Sequence, residues 1–171
     1  ESESNNTLAT ANTLTLDREM RAQLSSYDDE DVFSFAITGQ SIVEFDFDSP
    51  VDSYYADYFE FTVTDSDGVV YGEAQLGTDA AGEVALPDAG TYYLTVNSDS
   101  YWYTGDQYGV TASVVTRNYE LETESNDTNA GANTLTLGQA MRGQLGGDQD
   151  IDICAAFGQG GINGFSNEVA F

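Results

Sequence analysis

The 171-residue chain contains no lysine and no histidine, and its four basic residues are all arginine. They stand against 30 aspartates and glutamates, which gives a formal net charge of −26 at pH 7. A negative field of this strength repels phosphate groups, so we expect neither nucleic-acid binding nor association with anionic membranes. The absence of histidine and lysine also excludes Ser-His-Asp and Cys-His catalysis, Schiff-base chemistry, P-loops and histidine-ligated zinc.

The chain also lacks long hydrophobic runs and has a single cysteine. Because it has no run of 18 apolar residues, we expect no membrane insertion. No signal peptide is present, and the chain opens at Glu1 rather than Met, so we expect a processed or trimmed chain. Cys154 has no partner for an internal disulfide. We interpret it as a small buried residue, the alternative being an intermolecular disulfide or a reactive thiol.

The composition is nevertheless apolar enough for a core, with 40% hydrophobic and 12% aromatic residues. Between residues 32 and 116 apolar and polar residues alternate, as they do from Val43 to Phe47. This period is typical of antiparallel strands with one buried face, and turn signals such as residues 65–68 separate the strands. Seven or eight short strands at this spacing predict an all-β, antiparallel β-sandwich. For residues 7–24 the sequence leaves two alternatives, a short helix or a loop.

An internal repeat divides the chain. Residues 1–24 and 122–145 are identical at 16 of 24 positions at a constant offset of 121, which chance does not produce. The chain therefore holds one complete module, residues 1–118, followed by a linker and the start of a second copy, residues 119–171. A fragment of about 50 residues cannot close its own sandwich core. We expect it to pack on the first copy or to add a strand to a neighbouring chain, which would give a head-to-tail filament.

Both copies begin with an acidic segment. In an extended backbone Glu1, Glu3 and Asn5 point the same way, and the acidic residues 28–31 follow before the first long strand. Unpaired carboxylates repel one another, and Ca²⁺, which takes about six to eight oxygen ligands, relieves this repulsion. The alternative is a solvated acidic stretch. Recurrence of the pattern in the second copy supports a calcium site.

The order of these motifs resembles a known family. E-x-E-x-N-[ND]-T is followed by an apolar, threonine-rich stretch, by M-x-x-x-L, and by closely spaced aspartates before an aromatic strand; the turn 65–68 and the segment 89–96 come later. This arrangement resembles the bacterial pre-peptidase C-terminal domain, a near relative of the collagen-binding domain of clostridial collagenases. The resemblance covers residues 1–116 and begins again at residue 122. It implies a secreted, non-catalytic, jelly-roll-like sandwich that is appended to peptidases or other extracellular enzymes.

The resemblance also implies calcium ligands, because in the collagen-binding relatives the N-terminal acidic segment and the aspartates before the first strand hold calcium. Carried over by position, the candidate ligands in the first copy are Glu1, Glu3, Asn5, Asn6, Asp28 and Asp31, with Gln23 a weaker one. In the second copy they are Glu122, Glu124, Asn126, Asp127 and Asp152. Collagen binding does not carry over, because the exposed aromatic row of the relatives is replaced here by Thr95, Asn97 and Asp99.

Two predicted loops carry clusters of aromatic residues. One cluster contains Tyr54, Tyr55 and Tyr58, and the other contains Tyr101, Trp102 and Tyr103. Rigid rings on loops often contact sugars, peptides or partner proteins. Tyr101, Trp102 and Tyr103 are therefore candidates for partner binding, the alternative being that they cap the core.

Three classes of function remain. We favour a secreted or cell-surface, calcium-stabilised module without catalytic activity that acts in self-assembly or adhesion, with other copies of itself or an extracellular polymer as partner. The alternative is an accessory domain of a secreted peptidase or polysaccharide-degrading enzyme that aids substrate attachment or secretion. An enzyme is least favoured, because nothing marks two of the 30 carboxylates as an acid–base pair.

Overall fold

The computed structural model describes residues 1–50, 59–98, 105–124, 126–143 and 151–156. Every regular element within these ranges is a β-strand. No helix among the described residues has the length and apolarity that crossing a membrane requires. Six aromatic residues of the predicted loops lie outside the described ranges, and partner binding by the second cluster stays a prediction: Tyr54, Tyr55, Tyr58, Tyr101, Trp102 and Tyr103.

The first module is a sandwich of two sheets, which confirms the predicted all-β, antiparallel architecture. One sheet contains β1 (Asn12–Thr13), β3 (Glu30–Ile37), β5 (Phe59–Thr64), β6 (Val70–Leu76) and β8 (Gly90–Ser98), in the spatial order β1-β3-β8-β5-β6. The other contains β2 (Met20–Ala22), β4 (Ser41–Asp48), β7 (Ala80–Leu86) and β9 (Tyr108–Val115), in the order β2-β9-β4-β7. Neighbouring strands are antiparallel except for β1, which runs parallel to β3.

Alternation along each strand places its apolar face against the opposite sheet, as predicted. In β5, Phe59, Phe61 and Val63 are buried, whereas the residues between them are half-exposed. Phe47 of β4 reaches across from the other sheet, with its ring centroid 5.0 Å from that of Phe59 and 4.7 Å from that of Phe61. Each large side chain buried in this way stabilises the fold by about 1.5–3 kcal/mol.

Residues 7–24, which the sequence left open, form two short strands rather than a helix. Asn12 of β1 pairs with Phe33 of β3, and Met20 of β2 pairs with Val110 of β9. The segment therefore borders both sheets. Its hydrogen-bond partners lie far along the chain, so local sequence pattern alone does not specify its structure.

The described part of the second copy repeats the beginning of the first. β11 (Asn133–Leu135) pairs in parallel with β13 (Cys154–Ala156), at the same register as β1 with β3. β12 (Met141–Arg142) corresponds to β2 by the offset of 121 and pairs in parallel with β10 (Glu120–Leu121) in the linker.

The prediction that Cys154 is buried is wrong, because its side chain is exposed. Its counterpart in the first copy, Phe33, is fully buried between the two sheets and pairs with Leu94 of β8. Among the described strands, β13 pairs only with β11.

Candidate metal centre

The acidic residues of the first copy converge at one end of the space between the two sheets. Asp31 is fully buried on the core-facing side of β3, in line with Phe33 and Phe35. Side chains two residues apart on a strand share a face, so the apolar face of β3 ends in a carboxylate. Tyr108 lies at the start of β9 on the opposite sheet, and its hydroxyl donates a 2.6 Å hydrogen bond to Asp31 Oδ2.

The N-terminal segment crosses this end of the sandwich and is bonded to both sheets. The backbone nitrogen of Glu1 donates to the carbonyl of Arg21 on β2 at 2.9 Å. The carbonyl of Asn5 accepts from the backbone nitrogen of Val32 on β3 at 3.2 Å. Residues 1–5 therefore form a bridge from one sheet to the other, and the side chains of Glu1, Glu3 and Asn5 lie close to Asp31.

A side-chain clip fixes this segment in both copies. Asn12 accepts from the backbone nitrogen of Ser2 at 2.6 Å and donates to the Ser2 carbonyl at 3.1 Å. Asn133 makes the same two bonds with Thr123, at 2.8 Å and 3.1 Å. Neither asparagine is among the predicted ligands. Their identity at the offset of 121 was the signal that could have found them.

The oxygen atoms of four side chains meet in the first acidic site, which consists of Glu1, Glu3, Asn5 and Asp31. Carboxylate oxygens of Glu1, Glu3 and Asp31 all lie within 4.8 Å of one another. Asn5 is fully buried, and its side-chain oxygen lies 3.2 Å from both Asp31 Oδ1 and Glu3 Oε2. Three acceptors so close together need either a cation between them or an exchange of the amide oxygen and nitrogen, which turns both contacts into hydrogen bonds.

Burial and mutual repulsion raise the pKa values of these carboxyl groups. Burial, with the negative charge of Asp31, raises the pKa of Glu1 to about 7. Burial also raises the pKa of Asp31, although hydrogen bonds from Tyr108 and Glu1 act against it. The pKa of Glu3 is raised by burial and by the charges of Asp29 and Asp31. Without a cation the site therefore holds protons near neutral pH, as a site built for positive charge does.

The two neighbouring aspartates before β3 have different environments. Asp28, a predicted ligand, is exposed and is not among the three carboxylates that cluster. Asp29 is buried and accepts hydrogen bonds from the Ser25 nitrogen at 2.6 Å and from Asn6 Nδ2 at 2.8 Å. Burial acts to raise the pKa of Asp29, but these bonds outweigh it and lower the pKa. Asn6 Oδ1 is buried and has no hydrogen-bond partner among the described residues.

The remaining candidate, Gln23, contacts the site through its backbone and not through its side chain. Its backbone nitrogen donates to Glu1 Oε1 at 2.7 Å, and its side-chain amide donates to the carbonyl of Gly105. The Gln23 amide is thus directed toward the loop before β9.

The second acidic site, which consists of Glu122, Glu124, Asn126 and Asp152, repeats this arrangement. Carboxylate oxygens of Glu122, Glu124 and Asp152 lie within 4.8 Å of one another. Asn126, the counterpart of Asn5, is fully buried and donates to Glu122 Oε2 at 3.1 Å. Its side-chain oxygen is buried without a hydrogen-bond partner among the described residues. Two copies therefore bring the same residue types together at matching positions.

Two further residues define the edges of the second site. Asp127 is exposed, and its carboxylate accepts from the backbone nitrogen of Ile151 at 3.2 Å. Gly143 lies against the carboxylates, because a Cβ there would come 2.7 Å from Asp152 Oδ2 and 3.2 Å from Glu122 Oε1. The backbone at position 143 thus forms one wall of the site.

The contact of Tyr108 with Asp31 was not predicted, and no local feature of the sequence indicates it. The alternation predicts Tyr108 correctly as a core-facing residue of a strand, and it is fully buried. Its role beneath Asp31 depends on the pairing of two sheets across 77 residues of sequence. Burial and the charge of Asp31 raise the pKa of Tyr108 well above its ordinary value, so the phenol stays protonated and donates to the carboxylate.

Comparison with known proteins gives similarities to solved structures. No protein-family model matches the chain, and no curated protein matches it. The pre-peptidase C-terminal domain of collagenase from Bacillus anthracis is 17% identical, with a TM-score of 0.47 over 60% of this chain and 94% of that domain. PliG, a periplasmic inhibitor of g-type lysozyme, gives 15% identity and a TM-score of 0.43 for the Salmonella Typhimurium protein, over 61% of this chain and 98% of that one. The Aeromonas hydrophila PliG is 13% identical to this chain, with a TM-score of 0.44 over 61% of this chain and 97% of that one. A pre-peptidase C-terminal domain, the family that the sequence resembles, is thus among the solved structures to which this chain is similar.

Proposed function

We propose that this chain is a non-catalytic accessory module of a secreted protein, and that each acidic site binds Ca²⁺. The observation that carries the proposal is the meeting of three carboxylates in each copy, whose oxygens lie within 4.8 Å of one another beside a buried asparagine, Asn5 or Asn126. The side-chain oxygen of Asn126 is supporting evidence, because it is fully buried and has no hydrogen-bond partner among the described residues. A buried polar atom without a partner costs about 1–3 kcal/mol, and a cation supplies the missing interaction.

The donor set fits calcium better than a transition metal. Every candidate ligand is a carboxylate or amide oxygen, and the chain contains no histidine. Hard oxygen ligands favour Ca²⁺ or Mg²⁺ over Zn²⁺ or Cu²⁺. Of these two ions, Ca²⁺ accepts larger and less regular sets of oxygens, such as the side chains of Glu1, Glu3, Asn5 and Asp31 provide.

Calcium binding would stabilise the sandwich by locking its N-terminal bridge. The first acidic site combines ligands from residues 1–5 with Asp31 of β3, and Tyr108 of β9 lies beneath them. A cation at this point therefore ties the segment to both sheets. It also neutralises part of the net charge of −26, which destabilises a compact chain by self-repulsion.

The position of the second copy supports an accessory setting over a polymer. The sequence left open whether the second copy packs on the first or pairs with a neighbouring chain. Tyr119 and Arg142, which precede and follow the second acidic segment, lie beside Glu83 of the first module. A copy that packs within its own chain needs no neighbouring chain, so we place self-assembly second to the accessory role.

Isothermal titration calorimetry of the full chain tests the calcium proposal. We expect saturable Ca²⁺ binding with a dissociation constant of about 0.1–1 mM, which is the range of extracellular modules. Asp31→Asn removes a central carboxylate and should weaken binding to the first site at least tenfold. Glu30→Gln is the matched control, because Glu30 precedes Asp31 on β3 but is exposed, and it should leave binding unchanged. Equal effects of both substitutions, or no heat of binding at all, would contradict the proposal.

A further inference from the structure

The linker between the copies lies on the outer face of the four-stranded sheet. Glu44 of β4 and Glu83 of β7 are directly opposite each other there. Arg117, three residues before β10, donates to the carboxylates of both, and Tyr119 donates its hydroxyl to Glu83 Oε2. Opposed like charges destabilise a sheet, and the positive charge of Arg117 offsets part of the repulsion between these two carboxylates.

The second copy adds its own arginine to the same place. The guanidinium carbon of Arg142 lies 4.1 Å from the ring centroid of Tyr119. Burial acts to raise the pKa of Glu83, but hydrogen bonds from Tyr119 and Arg117 and the charges of Arg117 and Arg142 lower it. Tyr119 therefore contacts the first copy through its hydroxyl and the second copy through its ring.

One difference between the copies explains why Arg142 is available for this contact. Its counterpart Arg21 forms ion pairs within its own module, at 2.7 Å with Glu19 and at 2.6 Å with Asp48. The position that corresponds to Glu19 is Ala140 in the second copy. Because no carboxylate stands two residues before it, Arg142 lies over the ring of Tyr119 in the linker instead.

A cavity lies at the same surface. It is lined by Tyr71 and Ala85 of the first module and by Leu121, Glu122, Glu124 and Arg142 after it. Leu121 belongs to β10, whose neighbour Glu120 donates its backbone nitrogen to the Ala140 carbonyl at 2.9 Å. β10 is thus joined by backbone bonds to the second copy and faces the first.

We infer that the outer face of the four-stranded sheet around Glu44, Glu83 and Ala85 is a docking surface for the following copy. Tyr119 and Arg142 hold that copy in one orientation, so that the two copies move as one body. The partner that this surface fits is the beginning of the next repeat in the same chain. The residue at position 140 contributes to this docking, since a glutamate there would pair with Arg142 as Glu19 does with Arg21.

Double electron–electron resonance on the full chain tests this inference. Spin labels on the exposed native Cys154 and on a cysteine introduced at the exposed turn position 66 (Ser66→Cys) report the distance between the copies. The measurement is made in excess chelator, so that its outcome does not depend on calcium binding. We expect one narrow distance distribution. A broad distance distribution in the labelled protein without further substitutions would overturn the inference.

Substitutions locate the contact. Arg142→Gln removes the cation from the Tyr119 ring and should shift the ratio of docked to undocked chains by about two- to fivefold, seen as a new broad component. Ala140→Glu should produce the same component by drawing Arg142 away. Arg18→Gln removes the same charge from an exposed position of the first module and should leave the distribution narrow. An unchanged distribution in both Arg142→Gln and Ala140→Glu would overturn the inference.

Unfolding of the second copy must be distinguished from undocking. Tyr119→Phe keeps the ring under Arg142 and removes only the hydroxyl that reaches Glu83, so it should broaden the distribution while the second copy stays intact. Amide exchange of Glu120, which donates to Ala140, reports whether β10 and β12 remain paired. Broadening with unchanged protection of this amide supports docking, whereas broadening only together with lost protection would contradict it.

Discussion

Tyr108 and Asp31 are joined by a 2.6 Å hydrogen bond although 77 residues separate them. The bond connects the two sheets at the end of the core, directly below the first acidic site. Tyr108 is fully buried, and so is Asp31. The carboxylate that the site needs is therefore oriented from below by the core itself.

Replacing Tyr108 should affect both stability and calcium binding. Tyr108→Phe removes the hydroxyl and leaves Asp31 with one buried hydrogen bond fewer, so we expect a loss of about 1–2 kcal/mol in the free energy of unfolding. Urea denaturation measures this loss, and calorimetry should show weaker Ca²⁺ binding. Tyr92→Phe is the matched control, because the Tyr92 hydroxyl donates to the Asp88 carbonyl at 3.0 Å in another part of the module. If Tyr92→Phe weakened calcium binding as much, the role assigned to Tyr108 would be wrong.

Calcium should alter the pH dependence of stability. The pKa of Glu1 is raised from 4.5 to about 7 in the folded chain by burial and by Asp31. Between these values the folded, metal-free chain binds more protons than the unfolded chain, so its stability should decrease as pH rises. Calcium requires ionised carboxylates, so the gain in Tm that it produces should grow over the same interval.

Thermal unfolding from pH 5 to pH 7.5 measures both trends. The metal-free protein should be prepared with a chelating resin, because the affinity of soluble chelators for Ca²⁺ itself depends on pH. A gain in Tm from calcium that stays constant across this interval would show that Glu1 is not a ligand.

The adjacent aspartates 28 and 29 should respond differently to the same substitution. Asp29→Asn weakens the bonds to Ser25 and Asn6, and we expect a loss of about 1–2 kcal/mol in the free energy of unfolding at pH 7. Because the pKa of Asp29 is lowered in the folded chain, its contribution is present at neutral pH and is lost as pH falls. Asp28→Asn changes an exposed residue and should have little effect on stability. Urea denaturation of both variants at pH 7 and pH 4 would contradict this account if Asp28→Asn were the more damaging.

Which of these aspartates faces inward could not be predicted from the sequence. The resemblance pointed to Asp28 and Asp31, and the period of two correctly puts Asp31 on the same face as Phe33. The strand begins only at Glu30, however, so alternation does not extend back to residues 28 and 29. Their directions depend on the turn before β3, in which the Asp29 nitrogen donates to the Ser26 carbonyl at 3.3 Å.

The long strands, in contrast, follow from the sequence because their burial pattern repeats over many residues. The short strands β1 and β2 do not, since two or three residues carry no period and their pairing partners are distant. The repeat correctly located both acidic segments. What it could not show was the hydroxyl of Tyr108 beneath Asp31, which requires both sheets to be in place.

Arg117 should stabilise the folded chain, because Glu44 and Glu83 lie opposite each other and repel. Arg117→Gln leaves two facing carboxylates, and we expect the free energy of unfolding to fall by an amount that added salt reduces, since the residues are partly exposed. Adding Glu44→Gln to this variant should recover part of the loss by removing the repulsion. A double variant that is less stable than Arg117→Gln alone, in urea denaturation at low ionic strength, would contradict this explanation.

The most direct test of the central claim is the thermal unfolding of the full chain at pH 7.5 in 10 mM Ca²⁺ and in its absence, at equal ionic strength. If the acidic sites bind calcium with a dissociation constant near 0.5 mM, the folded state gains about 1.8 kcal/mol at one site, which corresponds to an increase in Tm of roughly 5–10 °C. The increase should be absent with 10 mM Na⁺ and smaller with 10 mM Mg²⁺. A Tm that calcium leaves unchanged, or that all three cations raise equally, would contradict the claim that these sites hold calcium.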